Sequence, residues 1–154
     1  MTSFFKYVIY LLLNGIIIFL IGRAFPRKFI KENSFPFISF KKERNGKIYE
    51  KLGIKKWKTK LPDASVIFYK LLPNFMPIKR FKDYSKDKVE ILIKETCVAE
   101  MTHFIVCLCG FYCTEIWEGI GGIVLSLIYT LLNVPFIIIQ RYNRPRLKGL
   151  LTKD

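Results

Sequence analysis

The sequence predicts an all-α integral membrane protein with about three transmembrane helices and a basic, amphipathic cytoplasmic segment between the first and second. Three observations carry this reading. Apolar residues come in blocks of roughly membrane-spanning length. Positive charge lies between the blocks: residues 22–95 hold twenty Lys and Arg against eight Asp and Glu, twelve of the chain's net +14. The last two blocks are joined by a short acidic, glycine-rich turn containing Glu115, Glu118, Gly119, Gly121 and Gly122. A nucleic-acid binder would not need such blocks, so no nucleic acid is expected as a partner. At 154 residues, one membrane domain over 1–154 is the expected organisation.

The first span, about residues 4–21, is interrupted only by Asn14 and Gly15. Arg23, Arg27 and Lys28 follow it where a signal peptide would carry a small-residue cleavage site, so it reads as an uncleaved anchor. Asn14-Gly15 has two readings, a close helix contact or a tolerated polar interruption. The segment 22–95 mixes basic residues with Phe25, Phe29, Phe35, Phe37 and Phe40. That mixture suits the headgroup layer, and it equally suits a charged face that only sets topology. Ile48–Leu61 reads as a short helix with Tyr49, Leu52, Trp57 and Leu61 along one face, ended by Pro62-Asp63. Pro73, Asn74 and Pro77 mark a turn region, and Asp83 or Ser85 is placed to cap the next helix.

That helix starts near Asp87. The uninterrupted apolar run Phe104–Thr114 is too short to cross alone, so the second span covers about 97–117. Glu100 and His103 then fall inside the leaflet, where ionisable groups are costly unless paired or facing a cavity. The third span covers about 120–139, and Arg141, Arg144, Arg146 and Lys148 follow it. The distribution of basic residues puts the loop and C-terminus in the cytoplasm and the N-terminus outside. Cys97, Cys107, Cys109 and Cys113 share the second span and read as small packing residues.

On a helix, Thr96, Glu100 and His103 lie within about 60° of one another, with Glu95 on the flank. A carboxylate three residues before a histidine can orient the imidazole and favour its protonated form, the arrangement of a histidine general base. Folding the hairpin at Glu118 brings Asn133 level with His103 and Gln140 level with Thr96. Asn133, Gln140 and Arg144 share one face to within about 40°. These residues are expected to make one polar pocket. Glu100-x-x-His103 is only half of a bundle di-iron motif, so no metal is expected, and no cofactor is implied.

Three segments together resemble the glycosyl-4,4'-diaponeurosporenoate acyltransferase family of staphyloxanthin-type carotenoid synthesis. They are Trp57-Lys58-Thr59-Lys60-Leu61-Pro62-Asp63, Lys94-Glu95-Thr96-Cys97-Val98-Ala99-Glu100-Met101-Thr102-His103, and Pro135 through Gln140-Arg141-Tyr142-Asn143-Arg144-Pro145-Arg146. The resemblance implies a bacterial cell-membrane O-acyltransferase that esterifies a sugar hydroxyl of a glycosylated carotenoid, or a related glycolipid, with a fatty acyl chain. Its partners would be membrane lipids, the glycolipid acceptor, and acyl-CoA or an acyl carrier protein as donor. On the residues, His103 is the candidate base, with Glu100 and Glu95 as catalytic partners. Asn133, Gln140, Asn143 and Arg144 are candidate substrate-binding groups, with Arg144 aimed at the oxyanion. Lys58 is expected to attract the donor's phosphates, and Trp57 to pack on the sugar or lie in the interface. The competing reading is a non-catalytic membrane subunit that binds anionic lipids or tethers biosynthetic enzymes.

Overall fold

A computed structural model of the chain describes residues 3–61 and 85–152. Among the described residues there is no strand, and three helices are long and apolar enough to cross a membrane. They are α1 (Ser3–Ala24), α4 (Lys86–Phe111) and α6 (Ile120–Leu151). The all-α membrane architecture follows directly. Helix α6 continues past the expected third span to Leu151, with Pro135 and Pro145 inside it. Its 32 residues extend about 48 Å at 1.5 Å per residue, well beyond a hydrocarbon core of about 30 Å.

Helices α4 and α6 form the main antiparallel pair. Their register is marked by three polar contacts: Ser126 Oγ donates to the Gly110 carbonyl (2.9 Å), Cys107 Sγ to the Thr130 carbonyl (3.9 Å), and His103 meets Asn133 (3.0 Å). Each step along one helix is matched by a step back along the other. Small residues allow the approach. A Cβ on Gly110 would lie 2.7 Å from the Tyr129 ring, so that position has no room for a side chain. The hairpin itself is closed by α5 (Cys113–Ile116) and by Gly119 at φ +85°, a left-handed conformation that favours glycine.

Helix α1 lies against this pair. Tyr10 donates to the Cys109 carbonyl (3.0 Å), and Gly22 sits against Thr102, where a Cβ would meet its hydroxyl at 2.6 Å. The close contact is therefore at Gly22. Gly15 keeps an ordinary 3.9 Å to Tyr129, and Asn14 donates to Tyr10 within its own helix.

The single helix expected over Ile48–Leu61 is instead broken. A 3-10 turn (Lys41–Gly46) leads into α2 (Lys47–Lys51), and α3 (Ile54–Trp57) follows. Gly53 separates them at φ +69°. The expected apolar stripe is not the buried one: Ile54 is fully buried, while Leu52 is exposed. Pro62, Asp63, Pro73, Asn74, Pro77 and Asp83 lie outside the described residues. Ser85 occupies the N-cap position of α4 without a side-chain capping bond. Of the five phenylalanines singled out in this segment, only Phe37 turns inward.

Candidate active site

The polar groups of α4 and α6 form two layers. The deeper one is His103 with Asn133. The Asn133 amide nitrogen donates to the Tyr129 carbonyl at 2.9 Å, one turn back in α6. That bond fixes which way the amide faces, so its oxygen is the group 3.0 Å from His103 Nδ1. A carboxamide oxygen only accepts, so the neutral imidazole carries its proton on Nδ1 and keeps its lone pair on Nε2. Phe136 stacks on the ring, with centroids 4.8 Å apart and planes 10° from parallel. His103 is half-buried, and among the described residues Nε2 has no hydrogen-bond partner. The arrangement is an oriented neutral base.

The second layer is charged and closed. Glu100 accepts from Arg141 Nη1 (2.6 Å) and Arg144 Nη2 (2.5 Å). Arg144, 2% exposed, also donates through Nε to Thr96 Oγ1 (3.0 Å) and through Nη1 to the Phe37 carbonyl (2.8 Å). Arg141 grips Glu43 through Nε (2.5 Å) and Nη2 (3.1 Å), and reaches the Pro36 and Ile38 carbonyls. Glu43 accepts further from the Phe40 amide (2.9 Å) and the Tyr49 hydroxyl (2.6 Å). Burial would raise the Glu43 carboxyl, but the bonds from Arg141, Tyr49 and Phe40 outweigh it and hold it below the ordinary range. Burial and the Glu43 carboxylate push the Tyr49 hydroxyl up to about 12. Two carboxylates thus face two guanidinium groups, and the charges balance.

The expected single pocket is therefore divided. His103 and Asn133 meet as the register of the hairpin predicts. Glu100 turns away from His103 to the two arginines, because charge-assisted bonds to guanidinium outcompete an imidazole contact along its own helix. Arg144, not Gln140, reaches Thr96. A helical side chain leans toward the N-terminus of its helix and covers the turn before its own Cα, so the Arg144 head group lies at the level of residue 140. Gln140 is half-buried and has no hydrogen bond among the described residues. Glu95 pairs with Arg27 (2.8 Å) and ties α4 to the chain leaving α1. Lys58 lies 3.5 Å from Asn143 Oδ1, and Trp57 Nε1 donates to the Leu52 carbonyl. Among the described residues, no three His, Cys, Asp or Glu side chains converge as metal ligands.

Glu43, Arg141 and Phe136 are the participants that sequence reasoning did not single out for the site. Arg141 and Phe136 stand in the quoted motif. Glu43 carries no local signal, since its partner is 98 positions away.

The family model for glycosyl-4,4'-diaponeurosporenoate acyltransferases matches residues 26–153. A protein of that name from Staphylococcus aureus (strain MRSA252) is 34% identical over 133 residues, 85% of this chain and 77% of the relative. Its counterpart from Staphylococcus aureus (strain bovine RF122 / ET3-1) is 33% identical over the same shares. No solved structure matches the chain.

Proposed function

The chain belongs to the glycosyl-4,4'-diaponeurosporenoate acyltransferase family, and from that premise we propose that it esterifies a sugar hydroxyl of a glycosylated carotenoid, or a closely related glycolipid, with a fatty acyl chain. The observation that carries the site is the His103–Asn133–Tyr129 relay, which leaves Nε2 as a base of defined orientation. His103 Nε2 takes the proton of the acceptor hydroxyl as that oxygen attacks the acyl carbonyl. The new C–O bond forms, the carbonyl electrons move onto oxygen, and they return as the donor's leaving group departs. The imidazolium returns its proton to that group. Asn133 holds the productive tautomer and accepts from Nδ1–H throughout.

In this reading the charged layer is the frame. Glu100, Arg141 and Arg144 lock α4 against α6 and against the segment at 36–43, which fixes the depth of His103. Glu95 serves the same end through Arg27. Gln140, whose amide is uncommitted among the described residues, is the group available to the acceptor's sugar. Direct transfer without an acyl-enzyme suits a Cys107 thiol directed at the Thr130 carbonyl. The donor is a thioester such as acyl-CoA or acyl-carrier protein, and the basic end of the bundle faces the cytoplasm of a bacterial cell, with the N-terminus outside.

Mass spectrometry of lipids tests this. Cells supplied with the glycosylated carotenoid would express wild type, His103→Ala or an empty vector. A product heavier by one acyl group is expected with wild type only. Equal product from His103→Ala removes His103 as the base. Absence of product with confirmed, folded wild type overturns the acceptor.

A further inference from the structure

About 15 Å along α6 from Asn133, ten residues toward the C-terminus, a second group of side chains converges that the base and its frame do not use. Its centre is Tyr142, 1% exposed. Lys58 Nζ lies 4.9 Å from the Tyr142 ring centroid, and the Arg146 guanidinium carbon lies 5.0 Å from the same centroid. Lys55 adds a third cation. One carboxylate serves Lys55 and Arg146, and none serves Lys58 among the described residues. A single oxygen of Glu50 receives Lys55 Nζ (3.0 Å), Arg146 Nη1 (3.2 Å) and the Tyr142 hydroxyl (3.2 Å). The polar neighbour of Lys58 among the described residues is Asn143 Oδ1, at a long 3.5 Å.

Three cations against one anion leave a local charge of +2 around the buried Tyr142 ring, with Lys55, Glu50 and Arg146 themselves exposed. Like charges do not gather around one ring without cost. Burial first, and then the charges of Arg146 and Lys55, make the Lys58 ammonium easier to deprotonate. The complementary ligand is a dianion. A phosphate monoester carries about −1.5 to −2 at pH 7 and offers three acceptor oxygens. Arg146 presents a planar fork, Lys58 a point charge, and Asn143 an amide on the same helical turn.

We propose that Lys58, Asn143 and Arg146 form a phosphate-monoester subsite, set by α6 about 15 Å from the acyl-transfer centre. This rests on the acyl-transfer reading with acyl-CoA as donor, which carries a phosphate monoester at its nucleotide end and its thioester at the far end of the pantetheine arm. The subsite holds the phosphate end at the membrane surface while the arm carries the acyl carbonyl down to His103. The same chemistry would also hold the headgroup of a phosphatidate lipid.

The test uses the full chain in nanodiscs of zwitterionic lipid, with coenzyme A titrated calorimetrically at low salt. Wild type is expected to bind. Lys58→Gln and Arg146→Gln are each expected to weaken binding at least about tenfold, the scale of one lost charge-assisted bond. Lys58→Arg should restore most of it, and Lys51→Gln, an exposed lysine outside the cluster, should match wild type. His103→Ala should bind coenzyme A normally while forming no ester. Loss of the ester with retained, Lys58-dependent binding of coenzyme A thus separates the base from the subsite. In a parallel arm, phosphatidate is doped into the nanodiscs and retained lipid is counted by native mass spectrometry. Retention of phosphatidate that depends on Lys58, without binding of coenzyme A, assigns the subsite to a lipid headgroup. Equal affinity of Lys58→Gln and wild type for both probes, or binding of neither, overturns the proposal.

Discussion

The two polar layers of the α4–α6 pair differ in a way that inverts the usual expectation. The layer of Glu43, Glu100, Arg141 and Arg144 holds four charges, and the layer of His103 and Asn133 is neutral. Yet the charged layer has its groups mutually bonded, and the neutral layer keeps one lone pair free of any described partner. Ionised groups persist away from water only when they are paired. Pairing removes them from chemistry. A neutral base that is oriented but open needs no such compensation until the moment a substrate arrives. Density of charge therefore marks the best-bonded part of the α4–α6 pair, and the group with an open lone pair is the neutral imidazole of the other layer.

The strongest way to break this comparison is Arg144→Ala. It leaves Glu100 short of a partner and frees Thr96 and the Phe37 carbonyl, at a cost of about 3–5 kcal/mol for a disrupted buried pair. Unfolding in detergent should show it, and Arg144→Lys should not rescue, because an ammonium cannot reproduce the three directed contacts. A stable Arg144→Ala protein that merely loses activity would move the arginine from frame to catalyst.

Asn133→Ala addresses the other layer. Without the pinned amide the imidazole tautomer is no longer set, and turnover should fall by about 100-fold, the lower end of what a positioned general base contributes. Stability should change by about 1–2 kcal/mol, the worth of the two part-buried hydrogen bonds that Asn133 makes. Comparing acyl-transfer rate with thermal midpoint in one preparation separates the two effects.

Acid provides a third probe. The Glu43 carboxyl is depressed in the folded state below its ordinary 4.5. Its contribution is therefore complete above that value and is lost as pH falls through the lower folded-state value. Wild type should lose thermal stability below about pH 4.5, and Glu43→Gln, already weakened, should show a flatter acid limb. Identical acid limbs for the two proteins would mean that Glu43 does not carry the clamp. The smallest expected effect is Cys107→Ala, about 1 kcal/mol of lost packing with acyl transfer retained. A dead Cys107→Ala enzyme would instead point to an acyl-enzyme.

Much of this was legible in the residues. The spans follow from hydropathy, and the meeting of His103 with Asn133 follows from a short turn and two antiparallel helices of equal rise. The pairing of Glu100 was not legible, because the helical spacing to His103 is visible in one dimension and Arg141 is not. Nor was the division of α2 from α3. The apolar periodicity over Ile48–Leu61 was real, but Gly53 sits in that stretch, and a glycine there lets the backbone take a left-handed turn that buries Ile54 instead. The reach of Arg144 to Thr96 and Glu100 is not legible from Cα register, which sets residue 144 about one turn shallower than its head group lands.

The grip of Arg141 on Glu43 and on the Pro36 and Ile38 carbonyls also sets an order of events in the cell. Glu43 leaves the ribosome 98 residues before Arg141. At about 5–20 residues per second, those groups wait about 5–20 s for the cation that completes them. By the end of that interval α1 and α4 are made while the clasp between membrane and surface segment is still open. The last helix is thus the step that closes the protein, and a nascent chain stalled before Arg141 leaves Glu43 and Glu100 without the guanidinium that bridges them.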